Sequence, residues 1–289
     1  MTTLGAALAA ARVKLPASEA RQLLGHVLGR QAAWLIAHDD EALDEDALLN
    51  FASLVARCAG GEPMAYLIGF REWFGRKFAV SPAVLIPRPE TELLVEVALA
   101  NIAAADAPGI LDLGTGSGCI AITLARECPQ AQVSAVDRSE AALAVARRNA
   151  AQLGGHVRFL QSDWYAALAG ERFDLIVANP PYIAASDPHL VAGDLRHEPP
   201  AALSGGNDGL EAIRHIIAAT PAHLAPGGQL WLEHGYDQAE AVRELFAVAG
   251  LVGIQQHRDI AGIVRVSGGR LPWIQPGDAT DWPIIPITI

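Results

Sequence analysis

The feature that most constrains the fold is a regular alternation of short apolar strands and helices that begins at residue 109. Four apolar runs, GILDLG, QVSAVD, VRFLQ and FDLIVAN, start at residues 109, 132, 157 and 173 and are separated by helical patterns. A further strand, QLWLEHG, follows a Pro-Gly-Gly turn and precedes the last helix and two final strands. Short strands that alternate with helices are typical of a doubly wound, mainly parallel α/β sheet.

The first 70 or so residues show the spacing of short helices instead. Apolar residues recur at helical spacing after Pro16, and a second stripe runs from Leu48 to Val55. Residues 71–80, REWFGRKFAV, place two short aromatic runs on either side of Gly75, which predicts a β-hairpin. The chain therefore begins with a helical module that a hairpin joins to the sheet.

Three segments follow from these patterns. We expect a helical substrate-recognition domain over residues 1–72, a β-hairpin linker over 73–88 and an α/β domain over 89–289, of which 268–289 have no assigned role. Ligands of doubly wound sheets bind beyond the carboxyl ends of the strands. Functional residues are thus expected directly after strands.

A glycine-rich loop follows the first strand of the α/β pattern. Residues 112–118 read DLGTGSG, and Cys119 stands where a dinucleotide fingerprint requires a third small residue, so the loop fits GxGxG and not GxGxxG. Asp137 ends the second strand, where its carboxylate can accept hydrogen bonds from ribose hydroxyls. Trp164 follows the third strand and offers a flat face beside an adenine. This ordered set indicates S-adenosyl-L-methionine as the cofactor.

The fourth strand is followed by Asn179-Pro180-Pro181-Tyr182. Proline has no N–H, so this segment presents carbonyl acceptors with two donors removed. The side-chain carbonyl of Asn179 adds another acceptor, and Tyr182 can pack against a planar group. The loop is therefore predicted to hold the NH₂ group of a planar substrate.

An amide nitrogen is a poor nucleophile because its lone pair is delocalised into the carbonyl group. Acceptors that hold both N–H bonds orient the nitrogen towards a methyl donor, and such positioning is a large part of catalysis. No general base is required before transfer, since the nitrogen becomes acidic only as the methyl group arrives. The nine histidines form no metal-binding spacing, and His234 is expected to be structural.

Composition excludes several other classes of protein. The net charge of −11 arises entirely after residue 88, so the basic surface of a duplex-binding protein is missing. No apolar run is long enough to cross a membrane, and the charges of Arg12 and Lys14 follow the apolar N-terminal stretch, the wrong order for a secretory signal. The three cysteines form no CxxC pair, which argues against a disulfide framework or a zinc site. We expect a cytoplasmic protein that binds no metal, membrane or nucleic acid.

These residues carry a resemblance to a known family. The chain resembles the PrmC/HemK protein-(glutamine-N5) methyltransferases, which methylate the glutamine of the GGQ motif in class-1 peptide chain release factors. The resemblance runs from about residue 15 to residue 268 and includes GEPMAYLIGFREWFG (61–75), LIPRPETELLVE (85–96), NPPYI and EPPAALSGGNDGL (198–210). It implies a small helical domain joined by a β-hairpin to a seven-stranded, Rossmann-like class I methyltransferase domain.

The resemblance also implies roles for individual residues. Implied cofactor-binding residues are Gly114, Thr115, Gly116, Ser117, Gly118, Asp137, Trp164 and Asn179. Implied substrate-binding residues are Asn179, Pro180, Pro181 and Tyr182, of which Asn179, Pro180 and Tyr182 are the expected catalytic group. The Asn179 side chain and the Pro180 carbonyl group would grip the substrate amide.

Other functions remain as alternatives. Adenine-N6 methyltransferases of nucleic acids share the NPPY-type loop because adenine N6 is also a conjugated amine, but the acidic charge argues against them. A sister enzyme acts on a ribosomal-protein glutamine, and the PRPETE stretch at 87–92 favours the release-factor branch. An NAD oxidoreductase is disfavoured by Cys119, and a catalytically silent binding module by the intact NPPY loop.

Overall fold

A helical module, a hairpin and a seven-stranded sheet follow one another within residues 2–102, 106–191 and 193–273, the part of the chain that the computed structural model describes. The helices of the module are α1 (Leu4–Ala11), α2 (Ala17–Leu28), α3 (Ala32–Ala37), α4 (Glu45–Ala59) and α5 (Met64–Ile68). The hairpin strands are β1 (Phe70–Trp73) and β2 (Arg76–Ala79).

The helical module has its own apolar core. Leu23 and Leu24 of α2 are fully buried and pack with Phe51 and Val55 of α4, as the apolar spacing predicts. The side chain of Asp44 caps α4 by accepting a 2.7 Å hydrogen bond from the Ala47 N–H. The module is thus stabilised by the same hydrophobic burial as a small independent domain.

The hairpin packs against the sheet. Trp73 and Phe78 are buried in the core that the hairpin shares with the α/β domain, and the Trp73 indole N–H donates to the Arg88 carbonyl oxygen at 2.7 Å. Its first strand begins at Phe70, so the hairpin starts three residues before the predicted linker boundary at residue 73.

The α/β domain contains the predicted seven-stranded, mainly parallel sheet. Its strands are β3 (Gly109–Leu113), β4 (Gln132–Asp137), β5 (Val157–Gln161), β6 (Phe173–Ala178), β7 (Leu224–Glu233), β8 (Val252–Arg258) and β9 (Val264–Arg270). Their order is β5-β4-β3-β6-β7-β9-β8, and only the pairings of β9 are antiparallel. The fold class expected from the sequence is confirmed.

Helices cover both faces of this sheet. They are α6 (Glu92–Asn101), α7 (Cys119–Glu127), α8 (Glu140–Leu153), α9 (Glu211–His223) and α10 (Ala239–Val248). Short 3₁₀ turns lie at Pro89–Thr91, Pro188–Val191, Gly193–His197 and Pro200–Ala202. Side chains of α6 and α7 join the core on one face, and side chains of α9 and α10 join the core on the other.

The chain reverses its direction of winding between β3 and β6, which are parallel neighbours. Leu113 at the end of β3 pairs with Ala178 at the end of β6. Gly114 and Asn179, the residues that follow, therefore leave the sheet side by side. Such a switch point opens a crevice at the carboxyl edge of the sheet.

Two details near the C-terminus correct the sequence interpretation. The Pro-Gly-Gly segment is not a turn before the strand but an irregularity inside β7, where pairing passes from Phe173–Leu224 to Leu175–Gln229. Strand β9 extends to Arg270, so the first three residues of the expected tail belong to the sheet. Residues 274–289 lie outside the described part of the chain.

The helices that the structure describes were compared with the length and hydropathy of membrane-spanning helices. None of these helices combines the length and the apolar character needed to cross a bilayer.

A buried amide joins the hairpin to the sheet domain. Asn149 of α8 is fully buried, and its Oδ1 accepts from the Ala79 N–H at 2.8 Å. Its Nδ2 group donates to the carbonyl oxygens of Ala79 (2.9 Å) and Ser117 (2.8 Å). One side chain thus satisfies backbone groups of the hairpin and of the glycine-rich loop together.

Replacing Asn149 should therefore destabilise the protein. Asn149→Leu keeps the side-chain size but leaves three buried backbone groups without partners, so we expect the free energy of unfolding in urea to fall by about 3 kcal/mol. The matched control is Gln161→Leu, whose exposed amide donates only to the Arg138 carbonyl and whose loss should cost less than about 0.5 kcal/mol. Equal effects of the two substitutions would contradict this account.

Candidate functional site

A cavity of about 860 Å³ opens at the carboxyl edge of the sheet. Its lining includes Gly114 after β3, Asp137 after β4, Trp164 after β5 and Asn179 after β6. Four residues predicted from separate stretches of sequence are thus brought to one cavity. The positions agree with the rule that ligands of doubly wound sheets bind beyond the strand ends.

The loop over residues 114–118, the glycine loop, follows the edge of this cavity. Gly114, Gly116 and Gly118 have φ angles of 70°, 55° and 80°, a left-handed conformation that residues with a Cβ rarely adopt. Gly114 and Gly116 line the cavity, so a ligand can approach the bare backbone.

The remaining residues of the glycine loop face the interior. Thr115 and Ser117 are buried and do not line the cavity, and neither does Gly118, which caps α7. The Thr115 hydroxyl donates to Asp112 Oδ2 at 2.6 Å. Burial raises the pKa of Asp112 to about 7, an effect that the hydrogen bond from Thr115 opposes. These side chains fix the shape of the loop from beneath.

Asp137 both supports the glycine loop and faces the cavity. Its Oδ2 accepts from the Gly116 N–H and its Oδ1 from the Ser139 N–H, each at 2.9 Å. A carboxylate oxygen can accept two hydrogen bonds, so both oxygens keep the capacity to bind hydroxyl groups of a ligand.

Trp164 lies against the glycine loop in an uncommon backbone conformation. Its φ is 48°, and a Cβ built at Gly114 would lie 3.5 Å from the Trp164 ring. The Ser162 hydroxyl stabilises this turn by donating to the Trp164 carbonyl oxygen at 2.8 Å. The turn thereby places an aromatic ring beside the bare backbone.

These features fit S-adenosyl-L-methionine. An acceptor carboxylate suits ribose hydroxyls, an aromatic ring suits a purine, and an open glycine backbone permits close contact. Among the residues that the structure describes, no group of three or more His, Cys, Asp or Glu side chains could hold a metal ion.

The loop over residues 179–182, the NPPY loop, lies beside the glycine loop. Asn179 and Pro181 line the cavity, whereas Pro180 is buried and neither it nor Tyr182 belongs to the lining. The Asn179 Nδ2 group donates to Thr91 Oγ1 at 3.0 Å. The Tyr182 hydroxyl donates to Glu233 Oε1 at 3.2 Å.

Part of the cavity lining comes from a segment to which sequence reasoning assigned no role. Residues 199–206, the wall segment, pair with the chain just after the NPPY loop: the Ile183 N–H donates to Leu203 O (3.0 Å) and the Gly205 N–H to Ile183 O (2.9 Å). A Cβ at Gly205 would lie 2.5 Å from the Pro181 carbonyl oxygen, so only glycine permits this approach. The Pro-Pro and Gly-Gly pairs in the 198–210 motif are the sequence feature that could have indicated this segment.

An ion pair between a partly exposed guanidinium and a buried carboxylate ties the residue before the wall segment to the residues before α6. Arg88 Nη2 lies 2.5 Å from Glu198 Oε1, and Glu198 is only 3% exposed. Burial raises the pKa of Glu198, and the Arg88 guanidinium opposes this effect. The two motifs at 85–96 and 198–210 therefore meet at the rim of the cavity.

Two titratable groups lie beneath the NPPY loop. Burial raises the pKa of Glu233 to about 7, and the Thr91 and Tyr182 hydroxyls partly offset that rise. His234 is fully buried, with Nδ1 2.9 Å from the Gly235 carbonyl oxygen and Nε2 2.8 Å from the Ser267 hydroxyl. Burial also lowers the pKa of His234, so a neutral ring with both nitrogens engaged acts as a structural link.

Comparisons with known proteins show which families the chain is similar to. The PrmC N-terminal domain family matches residues 2–69, and the methyltransferase small domain family matches residues 89–206. A release factor glutamine methyltransferase of Bordetella pertussis is 56% identical over 258 residues, which cover 89% of this chain and 96% of that protein. One of Escherichia coli is 45% identical over 256 residues, which cover 88% of this chain and 92% of that protein.

A solved structure supports the fold alone. The crystal structure of a methyltransferase from Pyrococcus furiosus matches with a TM-score of 0.53 at 20% identity, over 69% of this chain and 90% of that one.

The raised pKa of Glu233 predicts a pH-dependent stability. Between its ordinary value of about 4.5 and about 7, the folded protein holds a proton on Glu233 that the unfolded chain releases. The contribution of Glu233 to stability therefore falls as pH rises through this window and is constant above it. Glu233→Gln removes this loss. The free energy of unfolding of the variant, relative to that of the unsubstituted protein, should therefore rise by on the order of 3 kcal/mol between pH 4.5 and pH 8.

Urea unfolding at several pH values measures this difference. Asp112 has a similarly raised pKa, but it is present in both proteins and its effect cancels. The control variant Glu240→Gln removes an exposed carboxylate whose pKa is lowered by Arg243, and it should not gain stability with rising pH. A Glu233→Gln difference that does not change with pH would refute the buried, raised state of this carboxyl.

Proposed function

The chain belongs to the release factor glutamine methyltransferase family, and on that premise we propose that it methylates the glutamine of the GGQ motif in class-1 peptide chain release factors. The methyl group would pass from S-adenosyl-L-methionine to the N5 amide nitrogen. The observation that carries the proposal is the pairing of Leu113 with Ala178, which sets the glycine loop and the NPPY loop side by side on one cavity.

The cofactor is proposed to occupy the half of the cavity bordered by the glycine loop. Gly114 and Gly116 would contact it through the backbone, Asp137 would accept hydrogen bonds from its ribose, and the Trp164 ring would lie beside its adenine. When bound, S-adenosyl-L-methionine supplies a methyl group activated by a sulfonium. Asn179, between the two loops, can contact both ligands.

The substrate amide is proposed to bind at the NPPY loop. Asn179 Oδ1 and the Pro180 carbonyl oxygen would accept the two N–H bonds of the glutamine side chain. This arrangement orients the nitrogen lone pair towards the methyl donor. Holding both N–H bonds in place favours a pyramidal nitrogen, whose lone pair is less delocalised into the carbonyl group. Holding the reacting atoms in this geometry converts an encounter in solution into a step within one complex.

No side chain is required to remove a proton before the methyl transfer. The amide nitrogen loses its proton readily only after it has gained the methyl group. His234 does not compete for this role, since both of its ring nitrogens are already engaged. Catalysis would therefore rest on positioning and hydrogen-bond acceptance, not on general-base chemistry.

The charge distribution supports a protein substrate. With 32 acidic and 21 basic residues, the chain has no excess of cations for the phosphate backbone of a nucleic acid. We therefore propose that it binds the release factor without nucleic acid and works in the cytoplasm, where release factors meet the ribosome.

Mass spectrometry of a release factor incubated with the enzyme and S-adenosyl-L-methionine tests this function. We expect one added methyl group on the GGQ glutamine; methylation elsewhere, or none, would reject the proposal.

Asn179→Ala should lower kcat on the order of a hundredfold, since it removes a preorganised acceptor. Asp137→Ala should instead raise the Kd for the cofactor at least about tenfold, the loss of one or more charge-assisted hydrogen bonds.

The helical module is proposed to grip the release factor away from the reacting glutamine. It has its own core, and its Gly60 carbonyl oxygen accepts a 2.5 Å hydrogen bond from Arg196, close to the wall segment. A partner that docks on the module can cover its exposed apolar side chains, such as Ile36 and Leu49, each 63% exposed.

Substitutions at this surface separate recognition from chemistry. Replacing Ile36 and Leu49 together by Ser should raise KM several-fold for a whole release factor and leave KM for a short GGQ peptide unchanged, because the peptide cannot reach the module. Val248→Ser, at an exposed position of the α/β domain, is the control and should alter neither value. Equal changes for protein and peptide would remove the module from substrate recognition.

A further inference from the structure

Thr91 lies beneath the NPPY loop at the end of the Pro89–Thr91 turn. It is 2% exposed and does not line the cavity. Its hydroxyl oxygen is 3.0 Å from Asn179 Nδ2, although 88 positions separate the two residues in the chain. A buried polar group in direct contact with the proposed amide-binding side chain can control that side chain without touching substrate.

The orientation of the Asn179 amide decides what the cavity offers a ligand. With Nδ2 directed at Thr91, the carbonyl oxygen Oδ1 remains, and within the described residues it has no hydrogen-bond partner. The opposite orientation would present an NH₂ group to the substrate. Two NH₂ groups facing each other cannot form a hydrogen bond, so only the first orientation accepts a substrate amide.

A hydroxyl group can either donate or accept a hydrogen bond. In the structure the Thr91 oxygen accepts from Asn179 Nδ2 at 3.0 Å, so the Thr91 proton points away from Asn179. This contact keeps Asn179 Oδ1 turned away from Thr91. Without it the amide can adopt either orientation.

We infer that Thr91 is a positioning residue that holds Asn179 with its carbonyl oxygen towards the substrate nitrogen, by accepting a hydrogen bond from the Asn179 Nδ2 group. The inference rests on the proposed function, since it assigns the substrate-facing group of the same site. It adds a role for the PRPETE motif, whose threonine would act on the reaction through Asn179.

A matched pair of variants tests this role. Thr91→Val keeps the shape and removes the hydroxyl, whereas Thr91→Ser keeps the hydroxyl and removes a methyl group. Thr91→Val should lower kcat for a GGQ peptide about tenfold, the fold-change that corresponds to one neutral hydrogen bond, and Thr91→Ser should retain most of the activity. A purely packing role would give the reverse order, because Val fills the site better than Ser.

A double-mutant cycle separates action through Asn179 from an independent effect. In the Asn179→Ala background, Thr91→Val should cause no further loss of kcat, because the group that it positions has been removed. A further tenfold loss in that background would overturn the inference, and so would full activity of the Thr91→Val single variant.

Two readouts besides turnover complete the test. The Kd for S-adenosyl-L-homocysteine, measured by calorimetry, should stay within about twofold in Thr91→Val, since Thr91 acts on the substrate-facing oxygen of Asn179. Urea unfolding shows whether the variant is folded under assay conditions. A large loss of cofactor affinity would indicate a general disturbance of the site and contradict a positioning role.

Failure of the inference differs from failure of the proposed function. If the unsubstituted enzyme does not methylate the GGQ glutamine, the function itself is wrong. If it does and the Thr91 variants do not follow the expected order, only the positioning role of Thr91 is wrong.

Discussion

The pairing of β3 with β6 is the interaction on which the site depends. Each strand alone delivers one loop to the carboxyl edge of the sheet, and neither loop would be sufficient for methyl transfer. The parallel register that pairs Leu113 with Ala178 sets the proposed cofactor loop and the proposed substrate loop next to each other. Reaction between two bound molecules requires this proximity, and here it follows from the backbone hydrogen bonds that pair the ends of the two strands.

Local motifs made much of the site predictable from the sequence. The glycine loop needs φ angles that glycine adopts easily, so a short run of consecutive residues was enough to predict it. The NPPY loop is equally local, because its lack of donors follows from two adjacent prolines. The positions of Asp137 and Trp164 followed from the rule that functional residues come after strands, and both line the cavity with the two loops.

The supporting contacts could not be predicted in the same way. Thr91 meets Asn179 across 88 positions, and Arg88 meets Glu198 across 110. No local pattern indicates which of many threonines or glutamates such a residue contacts. The prediction of a turn at the Pro-Gly-Gly segment was wrong for a related reason. Its composition is typical of a turn, but pairing with β6 keeps it inside a strand. Long-range packing therefore determines these contacts and this strand, which local propensity alone does not predict.

Buried polar groups beneath the loops give the site its rigidity. Glu233 and Glu198 are buried carboxyls whose pKa is raised, and burial of such groups is unfavourable unless hydroxyl or guanidinium groups contact them. Those contacts connect the NPPY loop, the wall segment and the residues before α6. The proposed binding groups are thus held in place before any ligand arrives, and preorganisation of this kind lowers the cost of reaching the reactive geometry.

The most direct test is a crystal structure of the enzyme with S-adenosyl-L-homocysteine and a GGQ peptide. We predict that the glutamine side-chain nitrogen lies within hydrogen-bond distance of both Asn179 Oδ1 and the Pro180 carbonyl oxygen, facing the sulfur of the cofactor product. A glutamine bound elsewhere, or a loop that turns these two acceptors away from the nitrogen, would contradict the central claim.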